Sequence, residues 1–458
     1  MALYFLIAYC GIVSFFSLLD WRKGLYGLVI AALIVDPLRK IVPGAPSFLL
    51  LLPIMIILCI SFGLLLDNRR RLVQHRSMRA VKRAVALFYF LILPACALSA
   101  SFGVNSWMFT ILGIFSYSVL LMSIFAGYYF ARAPIDLSKF LSFYCIAASI
   151  ILVGAWIEYL DLPYGGIMIG TSALNMNWIR YGDGFTVDLI AGFFRSPDVM
   201  GWHAASVSIF SMILLATAKP KNRWFWALVC VFALATLIIC GRRKMIYIIP
   251  LFIFVNFAIM TLSGRSGRLF SAVQFILPVI ASVFIAGGIL GQQSSYVLHA
   301  FGTSEQATEQ FKDQSFSGAV KTLQQVGFFG AGLGFATPGA QNIPAARPRL
   351  WQESGTSRVL AELGVPGTVG LFLLIMTLLR KSIILVKEKV RALSSSSWLV
   401  LGMFSFFISN LGSLTVSGQI LADPFIAFLI GFSIGCVLAF EGVRLRAGLW
   451  RPVASVSL

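Results

Sequence analysis

Apolar runs long enough to cross a bilayer recur from one end of this chain to the other, and few architectures accommodate that. A crossing α-helix needs roughly 20 apolar residues to span about 30 Å of hydrocarbon. Segments of that character fall at 3–19, 24–38, 47–66, 84–102, 106–130, 138–157, 199–217, 224–240, 245–263, 269–290, 358–379, 398–416 and 424–441. The second is the weakest, because Asp36-Pro37-Leu38-Arg39-Lys40 interrupts it. With 59% of residues hydrophobic and 12% charged, no stretch is polar enough for a separate soluble domain. The chain is therefore expected to be an all-α polytopic membrane protein, a single integral membrane domain over 1–458 with about 12–13 crossing helices. Met1-Ala2-Leu3-Tyr4 offers no basic n-region, so 3–19 is expected to be a retained span and not a cleaved signal peptide.

The net charge of +19 would suit nucleic acid if it were spread evenly, but it is not. Lys and Arg in short loops stay cytoplasmic, and Arg69-Arg70-Arg71 with Arg76, Arg79, Lys82 and Arg83 anchors one loop there. Alternating from that loop gives 24 Lys and Arg against 5 Asp and Glu inside, and 12 against 12 outside. The whole excess lies on the cytoplasmic face, a topology signal that fits contact with membrane lipids and leaves no argument for nucleic acid. The seven cysteines all lie inside or at the ends of apolar segments, which suits small buried hydrophobes and neither a disulfide framework nor a zinc site.

The same alternation puts two long segments outside, 158–198 and 291–357. Neither shows obvious regular structure, and loops of that length are commonly functional. The second contains the most distinctive stretch of the chain, a Gly-rich run, Gly-Phe-Phe-Gly-Ala-Gly-Leu-Gly-Phe from Gly327, followed by Arg347, Arg349, Trp351 and Glu353, and then an apolar helix beginning near Arg358.

Arginines on the outer side oppose the positive-inside tendency, so something must hold them there. Arg195, the pair Arg242 and Arg243 followed by Lys244, and Arg358 all lie near span ends. A guanidinium fork matches phosphate oxygens, and several converging arginines make a phosphate or pyrophosphate site. The alternative is snorkelling to headgroups or pairing with Asp198, Glu353 or Glu362. Glu353, among Arg347, Arg349 and Trp351, is a candidate general base, or a loop carboxylate paired with one of those arginines. Glu362, about a turn into its span, suits an ion-paired structural role or catalysis, and Asp198 beside Pro197 has the form of a helix N-cap. Of three histidines, His75 is one more cytoplasmic positive group, His203 a packed polar residue, and His299 a second candidate base. They form no metal-ligand pattern, and P-loop, nucleophile-elbow and dinucleotide signatures are absent from the sequence.

Arg195-Ser196-Pro197-Asp198 before one span, Gly241-Arg242-Arg243-Lys244 at the outer end of the next, and a long loop opening Gly330-x-Gly332-x-Gly334 and closing on Glu362-Leu363-Gly364-x-x-Gly367 resemble the bacterial O-antigen ligase and polymerase superfamily. The resemblance covers roughly 193–377. It implies a GT-C-like helical glycosyltransferase in the bacterial cytoplasmic membrane. Such an enzyme acts at the outer face on an undecaprenyl-diphosphate-linked glycan donor and a glycan or lipid-linked acceptor, without metal or cofactor, with a chain-length regulator as a further partner. Carried onto this chain, the resemblance gives Arg195, Arg242 and Arg243 the donor pyrophosphate and makes Glu362 the family's glutamate after the loop. Nine residues before Glu362, where ligases carry a histidine, stands Glu353. That departure shifts the expectation from a ligase to a polymerase of O-antigen or exopolysaccharide repeat units. A transporter or flippase is the competing class, for which duplicated halves and charge near the membrane midplane would be expected, and neither is visible in the sequence. A membrane scaffold would leave both long loops unexplained.

Overall fold

A computed structural model of the chain describes residues 1–68, 76–101, 103, 105–132, 134–163, 166–182, 185–264, 317–337, 339, 340, 343, 354–392, 396–416, 418 and 422–441. The helices in chain order are α1 (Ala2–Leu19), α2 (Trp21–Ile41), α3 (Leu52–Asn68), α4 (Arg76–Leu91), α5 (Leu93–Ala100), α6 (Trp107–Phe130), α7 (Pro134–Tyr159), α8 (Pro197–Thr217), α9 (Pro220–Ile239), α10 (Arg243–Ile246), α11 (Ile248–Leu262), α12 (Gly318–Val326), α13 (Gly355–Ala392), α14 (Ser397–Val416) and α15 (Pro424–Ala439). Among the described residues, ten helical segments are long and apolar enough to cross a membrane, so this is a multi-pass membrane protein. Among the described residues, two further helices join the bundle without meeting that standard. They are α2, which carries Asp36, Arg39 and Lys40 near its end, and α15, which is 16 residues long. The span expected at 269–290 lies outside the described residues.

The helix α8 sits at the centre, and every residue from Pro197 to Leu215 is buried. Its Ala, Ser and Gly content lets α7, α9 and α14 pack around it, as befits a helix with no polar stripe to leave in contact with solvent. Among the described residues, α6 and α15 share the most extensive helix–helix contact. Gly431 and Gly435, four apart on α15, lie against the carbonyls of Leu120 and Ile124, and Gly127 of α6 lies against the carbonyl of Phe432. Such small-residue seams bring helix backbones into direct contact where lipid leaves little hydrophobic drive for association.

Two elements differ from their expected form. The helix after the Gly-rich loop begins at Gly355 and runs 38 residues, well past the apolar run, because the Lys, Arg and Glu residues that follow are good helix formers. It is broken at Gly364, whose φ of 62° and ψ of −167° no helix permits. The first long loop is not without regular structure. Strands β1 (Ile179–Gly182) and β2 (Phe185–Asp188) form an antiparallel hairpin with Ile179 opposite Asp188.

Charged side chains gather at the two ends of the bundle. At one end Arg22 meets Asp136 at 3.6 Å and donates to the Tyr129 carbonyl at 3.0 Å, while Arg132 lies over the rings of Tyr128 and Tyr129. The other end holds Asp36, Lys40, Arg195, Asp198, Arg242 and Asp423.

The seam between α6 and α15 is testable. A Gly127→Val side chain would meet the backbone at Phe432, so this variant should lose about 1–3 kcal/mol or more, or fail to accumulate. Gly11→Ala, where a Cβ meets nothing within 4 Å, should change stability by less than about 0.5 kcal/mol. Thermal unfolding of the detergent-solubilised protein distinguishes the two.

Candidate functional site

The candidate site is built at the start of α8. The segment leading into it carries Arg195, and Asp36 of α2 and Asp423 at the start of α15 close on that side chain from two directions. Arg195 Nη1 stands 3.3 Å from Asp36 Oδ2, and Nη2 stands 2.5 Å from Asp423 Oδ2. The Arg195 backbone N–H also donates to Asp36 Oδ2, at 3.1 Å. Asp423 turns its other oxygen to the N–H groups of Phe425 and Ile426, at 2.8 and 2.9 Å, and so caps α15. Burial by itself would lower the pKa of Arg195, but Asp36 and Asp423 outweigh it and the net shift is upward. For Asp423, burial pushes the other way from Arg195 and the α15 N–H groups, and its pKa ends below the usual carboxylate value.

A second knot lies on the same helix end. Asp198, in the first turn of α8, receives Arg242 Nη2 at 3.4 Å and Lys244 Nζ at 2.9 Å. The guanidinium of Arg242 lies 4.9 Å from the centroid of the Trp178 ring, in cation–π geometry. The N-cap of α8 is Ser196, whose hydroxyl accepts from Val199 N–H at 3.3 Å. Asp198 is thus an ion-pair partner and not the expected N-cap. Two residues beyond Ser196, its carboxylate points across to the α9–α10 junction.

Arg195, Arg242 and Lys244 therefore meet around one helix N-terminus, where the helix dipole adds further positive potential. Arg195 and Lys244 keep 21% and 24% of their side chains exposed, whereas Arg242 keeps 7%. Arg243, between Arg242 and Lys244 in sequence, is half-buried.

Arg358 and Glu362 belong to a different network. They pair one turn apart on α13, Nε to Oε2 at 3.7 Å, and both are fully buried. Arg358 donates to the Gly418 carbonyl, Ser116 Oγ and Thr337 Oγ1 at 3.0, 3.0 and 2.9 Å. Glu362 accepts from Tyr117 OH at 2.9 Å, Thr337 Oγ1 at 2.7 Å and Ala336 N–H at 3.0 Å. The pair fastens the end of the Gly-rich loop to α13 and α6, which is the ion-paired role open to Glu362 from the sequence.

That loop is clamped at many points and is not the hinge that its glycine content invites. Gly334, at φ 87°, lies against the Phe109 carbonyl, and Gly332, at φ 112°, against the backbone of Ser99. Where α13 breaks, the loop supplies what the helix loses. Val365 N–H donates to the Phe328 carbonyl at 2.8 Å, and Ala331 N–H donates to the Ala361 carbonyl at 2.7 Å. The close approach of the glycines is to protein backbone.

His203 is packed as expected, its ring stacked 4.8 Å from Phe194 and its Nδ1 2.9 Å from Tyr144 OH. Glu353, Arg347, Arg349 and His299 lie outside the described residues. The sequence reading missed Asp36, Lys40, Glu158 and Asp423. Asp36 and Lys40 interrupt an apolar span, and an ionisable pair there is a site signal in its own right. Asp423, directly before Pro424 and an apolar run, has the form of an N-cap.

The chain matches no model of a known protein family, and no curated protein is found similar to it. What fold and site together define is a multi-pass helical membrane protein with cations and carboxylates interleaved at one end of its bundle.

Two outcomes follow. Glu362→Ala leaves Arg358 buried without its counter-ion and should cost about 3–5 kcal/mol, whereas Arg358→Met with Glu362→Met should recover much of that, both read from thermal unfolding. A depressed folded-state pKa gives Asp423 a stabilising contribution that is complete above its unfolded value and is lost as pH falls through the folded one. The thermal advantage of wild type over Asp423→Asn should accordingly be constant above about pH 5 and shrink below about pH 4.

Proposed function

We propose that this protein is a metal-independent glycosyltransferase that polymerises lipid-linked oligosaccharide repeat units of O-antigen or exopolysaccharide type. In this reading it works from an undecaprenyl-diphosphate carrier at the outer face of a bacterial cytoplasmic membrane. The observation that carries the proposal is the gathering of Arg195, Arg242 and Lys244 around the start of α8, at the end of the bundle opposite Arg22 and Arg132. Each cation is held by a carboxylate that is at most 9% exposed, so its orientation is set before a ligand arrives. Two partly exposed, pre-oriented cations, Arg195 and Lys244, with Arg242 buried behind them, suit the diphosphate of a lipid carrier, whose charge sits at headgroup level.

Arg195, Arg242 and Lys244 hold the donor diphosphate, with Arg243 beside them. As the bond between the anomeric carbon and the diphosphate oxygen breaks, its electron pair leaves with the diphosphate, and these cations stabilise the added charge. The acceptor hydroxyl oxygen forms the new bond to the anomeric carbon from the opposite face and gives its proton to Glu353, which has this role on sequence grounds. Arg358 and Glu362 build the support for the adjoining loop.

A broken helix is also where a transporter would hold its substrate. Here the groups freed at Gly364 are bonded to Phe328 and Ala331, which favours the reading with chemistry over the one without.

Deleting the gene in its own host and separating lipid-linked and surface glycans by size tests the proposal. The expected outcome is collapse of a long ladder to single repeat units, restored by the wild-type gene. Arg195→Ala and Arg242→Ala, present in the membrane at wild-type levels, should fail to restore it, with activity down about 10²–10³-fold. Long chains stranded on the carrier would make the protein a ligase, and unchanged glycans would overturn both.

A further inference from the structure

The segment that delivers Arg195 to α8 has no regular structure, yet Ala191, Gly192, Phe194 and Ser196 are buried. Buried backbone groups must find partners, and here charged side chains from two helices supply them. From the last turn of α7, Glu158 Oε2 accepts from the N–H groups of Ala191 and Gly192, at 2.9 and 2.5 Å. From the last turn of α2, Lys40 Nζ donates to the carbonyls of Gly192, Phe194 and Met168, at 3.0, 2.6 and 3.2 Å. Gly192 is therefore gripped on both sides, its N–H by a carboxylate and its C=O by an ammonium. Its φ is 58°, and a Cβ there would press on the backbone of Ala155. Asp36, one turn before Lys40 on α2, completes the series by taking both the N–H and the guanidinium of Arg195.

Lys40 is 3% exposed, and a buried ammonium is an expensive way to satisfy three carbonyls. Charge-assisted hydrogen bonds are stronger and more directional than neutral ones, and all of these but the one to Met168 converge on Ala191, Gly192 and Phe194, just before Arg195. We propose that Lys40 and Glu158 are positioning residues that act through Arg195, fixing the backbone that aims its guanidinium at the diphosphate of a polyprenyl carrier. This rests on the donor-binding role given above to Arg195. It adds that the role depends on two residues with no assigned contact to substrate.

The test is a double-mutant cycle on the full-length protein in detergent, with undecaprenyl diphosphate as the probe and its Kd as the readout. Arg195→Ala and Lys40→Met should each weaken binding about tenfold or more, in line with the loss of hydrogen bonds to charged groups. Lys40→Arg, which keeps a cationic donor, should return Kd to within about threefold of wild type. The double variant Lys40→Met/Arg195→Ala should bind no more weakly than Arg195→Ala alone, because Lys40 has nothing left to position. A merely structural role would instead multiply the two losses to about a hundredfold. Should Lys40→Met fail to accumulate, Glu158→Gln takes its place in the same cycle with the same expected non-additivity. Unaltered binding by Arg195→Ala would overturn the donor-binding role and this inference with it. Weakened binding by Arg195→Ala, with normal binding by Lys40→Met or with losses that multiply, would overturn the positioning role alone.

Discussion

Arg195 held between Asp36 and Asp423 is the contact on which this end of the molecule depends. It joins the end of α2, the entry to α8 and the start of α15, segments separated by 159 and 228 residues in sequence. Each carboxylate also has backbone work, Asp36 at the Arg195 N–H and Asp423 at the first turn of α15. Removing either would leave a largely buried guanidinium short of a counter-ion and a polar backbone group short of a partner. Beside it the Asp198 knot ties α8 to the α9–α10 junction in the same manner. The helices thus converge on a shared set of charges, and apolar packing alone would not specify that convergence.

The rest of the bundle is organised by backbone proximity. Glycines at the α6–α15 seam, and Gly330, Gly332 and Gly334 in the 327–335 loop, stand where a side chain would collide with a neighbouring main chain. The broken helix α13 obeys the same economy, since its interrupted hydrogen bonds pass to the loop that fills the break.

How much of this could be read beforehand differs by the range of the interaction. Crossing helices follow from composition over about 20 residues, and the pairing of Arg358 with Glu362 follows from i,i+4 spacing on one helix. Partners drawn from remote segments leave no local trace. Tyr117 reaches Glu362 across 245 residues, and Lys40 reaches Gly192 across 152. The charges in α2 looked like a flaw in a membrane span because their partners were not in view. The glycines of the 327–335 loop show in sequence that its backbone can take unusual angles, but not what crowds against it. Asp and Ser both suit the N-cap position at 196–198, and the hydrogen bond of Ser196 decides between them.

The placement of Asp423 has a consequence for how the protein is made. Ribosomes release a chain from its N-terminus, so α8 and Arg195 enter the membrane long before residue 423 is translated. Until then the guanidinium has Asp36 alone, and the seam that α6 offers to Gly431 and Gly435 stands open to lipid or to other helices. The charged end of the molecule around Arg195 is thus completed by its last described helix. A nascent or truncated chain that stops short of α15 leaves Arg195 Nη2 without its carboxylate and the α6 seam uncovered, a half-formed bundle of the kind membrane quality-control proteases are suited to detect.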